Sequence, residues 1–164
     1  MHIYDLLQTP SDPCWPSSAE WMTLNNTLSG RLMETVPPAS ACYETENNYN
    51  ATECQTIVDG WTTSVFHSSS PFSVLDPTWS GDACPPLYQN GTGITGDAQA
   101  AFKGCSLGNL SPYVVNATTA AHVQIALKFA KERNLRINVK NTGHNPEKRS
   151  VPDVNHPRKL FYWH

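Results

Sequence analysis

The feature that most constrains the fold of this chain is a strand–helix–strand pattern between residues 113 and 140. Tyr113 begins a short β-branched run, residues 119–133 repeat apolar side chains at helical spacing, and residues 135–140 alternate apolar and polar side chains. A helix that joins two strands of one sheet allows those strands to be parallel. The pattern therefore predicts a βαβ unit in a parallel or mixed sheet, and an α+β fold class.

The helix of this unit has recognisable end signals. Thr118 or Thr119 can serve as its N-cap, and Asn134 can cap its C-terminus. The predicted apolar face consists of Val123, Ala126, Leu127 and Ala130.

A second helix is predicted near the start of the chain. Ser17 and Glu20 have the spacing of a capping box. The apolar stripe that follows predicts a helix over residues 17–33, and it consists of Trp21, Leu24, Leu28 and Leu32. Residues 35–112 hold most of the Pro, Gly and Cys residues, which predicts a loop-rich segment with a short helix near residues 55–65.

The five cysteines predict two disulfides in this segment. Pairing Cys42 with Cys54 and Cys84 with Cys105 closes two short, turn-rich loops, and Cys14 is then left without a partner. A structural zinc site is not predicted, because no C-x-x-C motif and no histidine at ligand spacing from a cysteine pair occurs.

Asn-x-Ser/Thr sequons point to the same compartment as the cysteines. Five occur where chance gives roughly two, and they begin at Asn25, Asn50, Asn90, Asn109 and Asn116. Together these features predict a secreted, disulfide-bonded glycoprotein. A cytosolic chain with free thiols is the alternative. The unpaired cysteine and the lack of a basic n-region in residues 1–10 lead us to expect a further cysteine and a signal peptide upstream.

Charge and hydropathy exclude several classes of function. No run of roughly 18 apolar residues occurs, so no membrane span is predicted. Residues 101–164 hold ten basic and three acidic residues, whereas residues 1–100 hold one basic and eleven acidic ones. The basic residues are spread over helix, strand and tail without clustered aromatics, so nucleic-acid binding is not predicted.

Most motif matches have an ordinary structural interpretation. The G-x-G-x-x-G match at residues 91–96 lacks the preceding strand and the later acidic residue of a dinucleotide site, which predicts a flexible turn. No G-x-S-x-G motif supports a serine hydrolase. His67 and His122 are predicted to be surface residues.

The candidate site is the loop directly after the second strand of the βαβ unit, because ligands gather at the carboxyl ends of parallel strands. Its residues are Asn141, Thr142, Gly143, His144 and Asn145. Gly143 allows the backbone to approach a pyrophosphate closely, and His144 adds an imidazole nucleophile. A simple turn with a surface histidine is the alternative interpretation.

Three separated blocks of the sequence resemble the start of a known enzyme family. They are residues 12–21 (DPCWPSSAEW) with LSGRL at 28–32, residues 105–145, and Arg149-Ser150. In this order they resemble the N-terminal part of fungal FAD-linked oxidoreductases of the berberine bridge enzyme-like group. That group belongs to the vanillyl-alcohol-oxidase superfamily, whose members have a PCMH-type FAD-binding domain.

The resemblance implies a cofactor and a reaction. In this family the loop after the first βαβ unit binds the FAD pyrophosphate, and its histidine is joined to the flavin, so His144 is the matching residue. The implied activity is hydride transfer from a small organic or carbohydrate substrate to flavin, which O₂ then reoxidises. The implied catalytic base lies outside this sequence, so no catalytic residue is assigned, and a monomer is expected.

The expected organisation has three parts. Residues 1–110 form a helical and Cys-rich lead-in, residues 111–150 begin the FAD-binding domain, and residues 151–164 form an aberrant tail, because the resemblance is lost after Ser150. We therefore expect a truncated and inactive flavoprotein chain. Two alternatives stay open: a small secreted, disulfide-stabilised glycoprotein that binds a partner without enzyme activity, and a degenerate product that aggregates.

Overall fold

The computed structural model describes residues 13–74, 80–81 and 83–140, together with the backbone of residues 160–163. Its α-helices are α1 (Ser18–Thr27), α2 (Ala51–Gly60), α3 (Ser64–Ser69), α4 (Ala100–Lys103) and α5 (Ala120–Glu132), and a 3-10 helix spans Pro38–Cys42. Its strands are β1 (Leu32–Glu34), β2 (Tyr113–Asn116), β3 (Ile137–Lys140) and β4 (Leu160–Trp163).

The four strands form one mixed sheet in the order β1-β2-β4-β3. β1 is antiparallel to β2, whereas β2 and β3 both run parallel to β4. The predicted mixed sheet is therefore confirmed, but the two strands of the βαβ unit are not direct neighbours. The backbone of Leu160–Trp163 lies between them, although we predicted no regular structure there, because four residues are too few to show a period.

The first helix is shorter than predicted. Its capping box is confirmed, since the Ser17 N–H donates to Glu20 Oε2 at 2.8 Å. The helix ends at Thr27 rather than near residue 33, because Ser29 and Gly30 both have positive φ (54° and 79°) and turn the chain. Leu32 consequently belongs to β1.

Helix α5 has the predicted ends, and its buried face matches the prediction except at Leu127. Thr119 caps it by accepting the His122 N–H at 3.2 Å, and Asn134 follows its end with φ of 50°. Ala126 and Ala130 are buried as predicted, but Leu127 is 50% exposed. The prediction was wrong for Leu127 because the helix turns a neighbouring stripe toward α1.

The main core lies between α1, α5 and one face of the sheet. Trp21 stacks on Tyr113 with ring centroids 4.2 Å apart and contacts Phe129 at 5.1 Å. The buried members of this core are Trp21, Leu24, Leu28, Val115, Ala117, Ala126 and Ala130. A salt bridge of 2.7 Å between Arg133 and Glu20 joins the same two helices at the rim.

The disulfide-rich segment has its own small core. Both predicted disulfides are present, Cys42–Cys54 and Cys84–Cys105, and Cys14 is exposed and unpaired. The described residues of this segment form four helical elements, where we predicted a single short helix near residues 55–65. The Tyr43 hydroxyl donates to the Pro85 carbonyl at 2.9 Å and joins the two disulfide-closed parts.

Candidate functional site

The carboxyl ends of the three parallel strands meet at one edge of the sheet. Asn116, Trp163 and Lys140 are in register across β2, β4 and β3. The candidate loop leaves this edge directly after Lys140. Its residues Asn141, Thr142, Gly143, His144 and Asn145 lie outside the described residues, so the structure gives their point of departure and no geometry for them.

The start of α5 lies at the same edge. Only Ala117, Thr118 and Thr119 separate the end of β2 from the first helical residue. The backbone N–H of Thr118 donates to Nδ1 of His122 at 3.2 Å, so this half-buried histidine orders the turn before the helix. The N-terminus of a 13-residue helix favours an anion, and two strand spacings, about 10 Å, separate β2 from β3. The edge therefore suits a phosphate-bearing ligand.

The side chain of Lys140 is buried inside the protein. Its ammonium donates to the carbonyl oxygens of His67, Ser70 and Ser73 at 2.7, 2.5 and 3.0 Å. Burial lowers the pKa of Lys140 to about 8, which leaves the ammonium protonated at neutral pH. Three N–H donors thus meet three carbonyl acceptors, and Lys140 anchors the last residue before the candidate loop to segment 67–73.

At the end of β3 the polar residues are buried, whereas Ile137 at its start packs against the main core. Asn138 and Lys140 are buried while Val139 between them is 52% exposed. Alternation alone predicts that the apolar residues face the core, so the sequence analysis missed Lys140. The sequence shows only a lysine at the last position of a predicted strand. Nothing there indicates that the carbonyls of His67, Ser70 and Ser73, which we call the carbonyl cage, surround its ammonium.

His67 was also misjudged, because it is buried rather than exposed. Its Nε2 lies 2.6 Å from the Trp61 carbonyl, which can only accept, so Nε2 carries the proton. Nδ1, 2.5 Å from Ser73 Oγ, then accepts the hydroxyl hydrogen. Burial lowers the pKa of His67, the Trp61 carbonyl opposes this by raising it, and the nearby Lys140 ammonium lowers it further.

The Ser73–His67 contact resembles a nucleophile paired with a base, but it has no access for a substrate. Both residues are 3% exposed. His67 and Ser73 instead join segment 60–74 into one unit, which Lys140 holds against the sheet. We therefore assign this cluster a structural role.

Acidification is expected to destabilise the fold through His67. Its pKa in the folded chain is below the value of about 6.5 in the unfolded chain, so the unfolded chain binds the proton first as the pH falls. The contribution of neutral His67 to stability should be fully present above that value and should be lost progressively as the pH falls below it. Thermal melts of the wild type, His67→Gln and the control His122→Gln test this. The loss of thermal stability on acidification should be smaller only in His67→Gln. An equal loss in that variant and in the wild type would contradict the role of His67.

The glycine-rich match at residues 91–96 forms an ordered turn. Leu87 and Gly93 make an isolated antiparallel bridge, and Gly91 and Gly96 have φ of 80° and 90°. Only the four-residue α4 follows, so the element order of a dinucleotide site is not present here. Among the described residues no group of three potential metal ligands occurs. No helix in that part of the chain has the length and hydropathy to span a membrane.

Comparisons with known proteins identify the family. No protein-family model matches the chain. It is 42% identical over 138 residues to the VAO-type flavoprotein oxidase VAO615 of Thermothelomyces thermophilus, covering 83% of this chain and 22% of that protein. It is 37% identical over 143 residues to the FAD-linked oxidoreductase apf9 of Gibberella fujikuroi, covering 87% of this chain and 22% of that protein.

Two crystal structures show the same relationship in the fold. The VAO-type flavoproteins MtVAO615 and MtVAO713 of Myceliophthora thermophila C1 superpose with TM-scores of 0.78 and 0.76, at 38% and 30% identity. In both cases the match covers 95% of this chain and about a quarter of the other. The chain spans about a fifth of the length of its curated relatives. The resemblance to fungal FAD-linked oxidoreductases is thus confirmed, since the relatives of this chain in sequence and in fold are VAO-type, FAD-linked flavoproteins.

Proposed function

We propose that this chain supplies part of the FAD site of a secreted oxidoreductase. The observation that carries the proposal is the parallel register of the sheet, since it brings the start of α5 and the exit from Lys140 to one edge. A helix N-terminus and a glycine-containing loop at the carboxyl ends of parallel strands have the donor chemistry that a pyrophosphate needs. The described residues therefore fit the cofactor that the family implies.

Each residue of the candidate loop has a proposed role. Backbone N–H groups around Thr142 and Gly143 would bind the pyrophosphate, with Asn141 and Asn145 flanking them. His144 would bind the flavin covalently, as in berberine bridge enzyme-like members. Bound FAD would supply the acceptor for a hydride from a small organic or carbohydrate substrate, with O₂ as the final oxidant.

The described residues are proposed to position the candidate loop and the start of α5, and none of them is assigned a part in the reaction. Lys140 holds the end of β3 against segment 67–73, so the loop starts from a defined position. His122 holds the turn that precedes α5. The two disulfides support a secreted protein, and we expect it to be a monomer.

The isolated 164-residue polypeptide is expected to bind FAD weakly or not at all. It matches only about a quarter of each solved flavoprotein, so most of the surface that encloses the adenine and flavin rings is not provided by these residues. Titration of FAD fluorescence with the polypeptide measures the affinity, and acid precipitation measures covalent flavin. Flavin that stays bound through acid would contradict the expectation.

A chimera tests His144 directly. Residues 13–150 of this chain replace the equivalent residues of VAO615, the relative with 42% identity. We expect the chimera to carry acid-stable flavin and His144→Ala to release it into the acid supernatant. Lys128→Ala, at an exposed position of α5, serves as the control. Acid-stable flavin in His144→Ala would overturn the covalent assignment. A chimera that folds without any flavin would favour the alternative of a binding glycoprotein.

A further inference from the structure

The five sequons differ sharply in their structural settings. Asn50 and Asn90 have exposed side chains, whereas the other three asparagines are half-buried. An oligosaccharide on an asparagine of a folded protein needs its amide nitrogen to face solvent. Exposure therefore separates the sequons into two groups.

Asn90 lies at the tip of a turn. The Asn90 Oδ1 accepts the backbone N–H of Thr92 at 3.0 Å, which is an Asx-turn across its own sequon. Gly91 between them has φ of 80°, and its N–H donates to the Tyr88 carbonyl at 2.8 Å. The sequon is thus closed into a tight, exposed turn whose amide oxygen faces inward.

Asn50 lies at the N-terminus of α2. Its Oδ1 accepts the Glu53 N–H at 3.0 Å, and its own backbone N–H donates to the Ala41 carbonyl at 2.9 Å. These two hydrogen bonds hold the backbone at Asn50 and at the start of α2, while the Asn50 side chain is exposed. As at Asn90, the amide oxygen is used by the backbone while the side chain as a whole reaches solvent.

The other three sequons lie where a glycan conflicts with packing or pairing. Asn25 is half-buried, unlike Asn50 and Asn90, although its Oδ1 likewise accepts a backbone N–H, that of Leu32 at 3.0 Å. The Asn109 amide covers Gly81 so closely that a β-carbon there would lie 2.6 Å from Nδ2. Asn116 belongs to β2 and lies at the carboxyl edge of the sheet, the proposed cofactor edge.

We propose that Asn50 and Asn90 carry N-linked oligosaccharides and that the other three sequons stay unmodified. The inference rests on the proposed secretory route. In the transfer step the amide nitrogen forms a bond to the sugar C1, the bond from C1 to a lipid pyrophosphate breaks, and the amide proton is lost as the lipid pyrophosphate leaves. Both sites belong to the disulfide-rich segment of the chain, between Cys42 and Cys105.

The test uses the full 164-residue chain behind a yeast secretion leader. A Gly-Ser linker with one Asn-Ala-Thr sequon after His164 reports that the chain has reached the lumen. We expect three glycans in total, counted as steps of gel mobility that peptide N-glycosidase F removes. Asn50→Gln and Asn90→Gln should each remove one step, and the matched controls Asn25→Gln, Asn109→Gln and Asn116→Gln should remove none.

Each outcome of this experiment decides the proposal. Occupancy of Asn50 and Asn90 alone, besides the reporter, supports it, and site mapping by mass spectrometry after deglycosylation in ¹⁸O water identifies the modified residues. A modified reporter without modification of Asn50 or Asn90, or with modification of Asn25, Asn109 or Asn116, overturns it. Because the leader is supplied, either result is independent of whether the natural protein binds FAD.

Discussion

Replacing Lys140 with methionine is expected to lower the free energy of unfolding by about 3 kcal/mol. The variant keeps the aliphatic stem but leaves the carbonyls of His67, Ser70 and Ser73 without their shared donor. An orphaned buried acceptor costs roughly 1–3 kcal/mol. Leaving three carbonyls unpaired would by itself cost more than this. However, the variant no longer pays the desolvation free energy of a buried ammonium, which offsets part of that cost.

Urea denaturation of the wild type and Lys140→Met measures this loss. Lys128→Met is the matched control, because Lys128 is exposed on α5 and its ion pair to Glu132 is 3.9 Å long. The control should stay within about 0.5 kcal/mol of the wild type. Equal stabilities of the two variants would show that the carbonyl cage contributes nothing to folding.

The second large effect is expected for Gly108→Ala, which should cost more than about 3 kcal/mol and prevent the native loop from forming. Gly108 has φ of 54°, and an added β-carbon would overlap backbone atoms of Ala83 and Ser80. These atoms cannot move aside independently, because the Asn109 N–H donates to the Ser80 carbonyl at 2.9 Å. The free-energy cost of the positive φ and that of the steric overlap therefore add together.

Gly96→Ala separates the two contributions. Gly96 also has a positive φ, 90°, but a β-carbon there would meet open space. Only the backbone strain remains, so we expect a loss of about 1–2 kcal/mol. Thermal and urea unfolding of both variants, with the disulfides intact, measure the difference. Similar losses at the two positions would mean that the loop adapts to the overlap at Gly108.

Local chemistry explains which parts of the fold could be predicted. The capping box of Ser17 and Glu20 and the cap at Thr119 depend on residues three or four positions apart. The disulfide pairs could be drawn because each closes a short loop. The capping residues are neighbours in the sequence, and the cysteines can be paired from the lengths of the loops that they close. Both patterns can therefore be recognised without knowledge of the fold.

The errors at His67 and Lys140 concern contacts that no local sequence pattern marks. His67 is buried because the Trp61 carbonyl and Ser73 enclose it, and no periodicity marks such a contact. Lys140 is buried because segment 67–73 offers it three carbonyls. The candidate loop was selected by its position after β3 and by resemblance, and its geometry remains a prediction since residues 141–145 lie outside the described ranges.

The position of β4 between β2 and β3 has a consequence for synthesis of the chain. Among the described strands, β3 pairs only with β4, whereas β2 already has β1 as a partner. On the ribosome α1, β1, β2 and α5 can assemble first, while β3 waits for residues 160–163 to emerge. During that interval the edges of β2 and β3 that later pair with β4 have unpaired backbone N–H and C=O groups. Competition from another chain's strand is therefore greatest at this stage of folding.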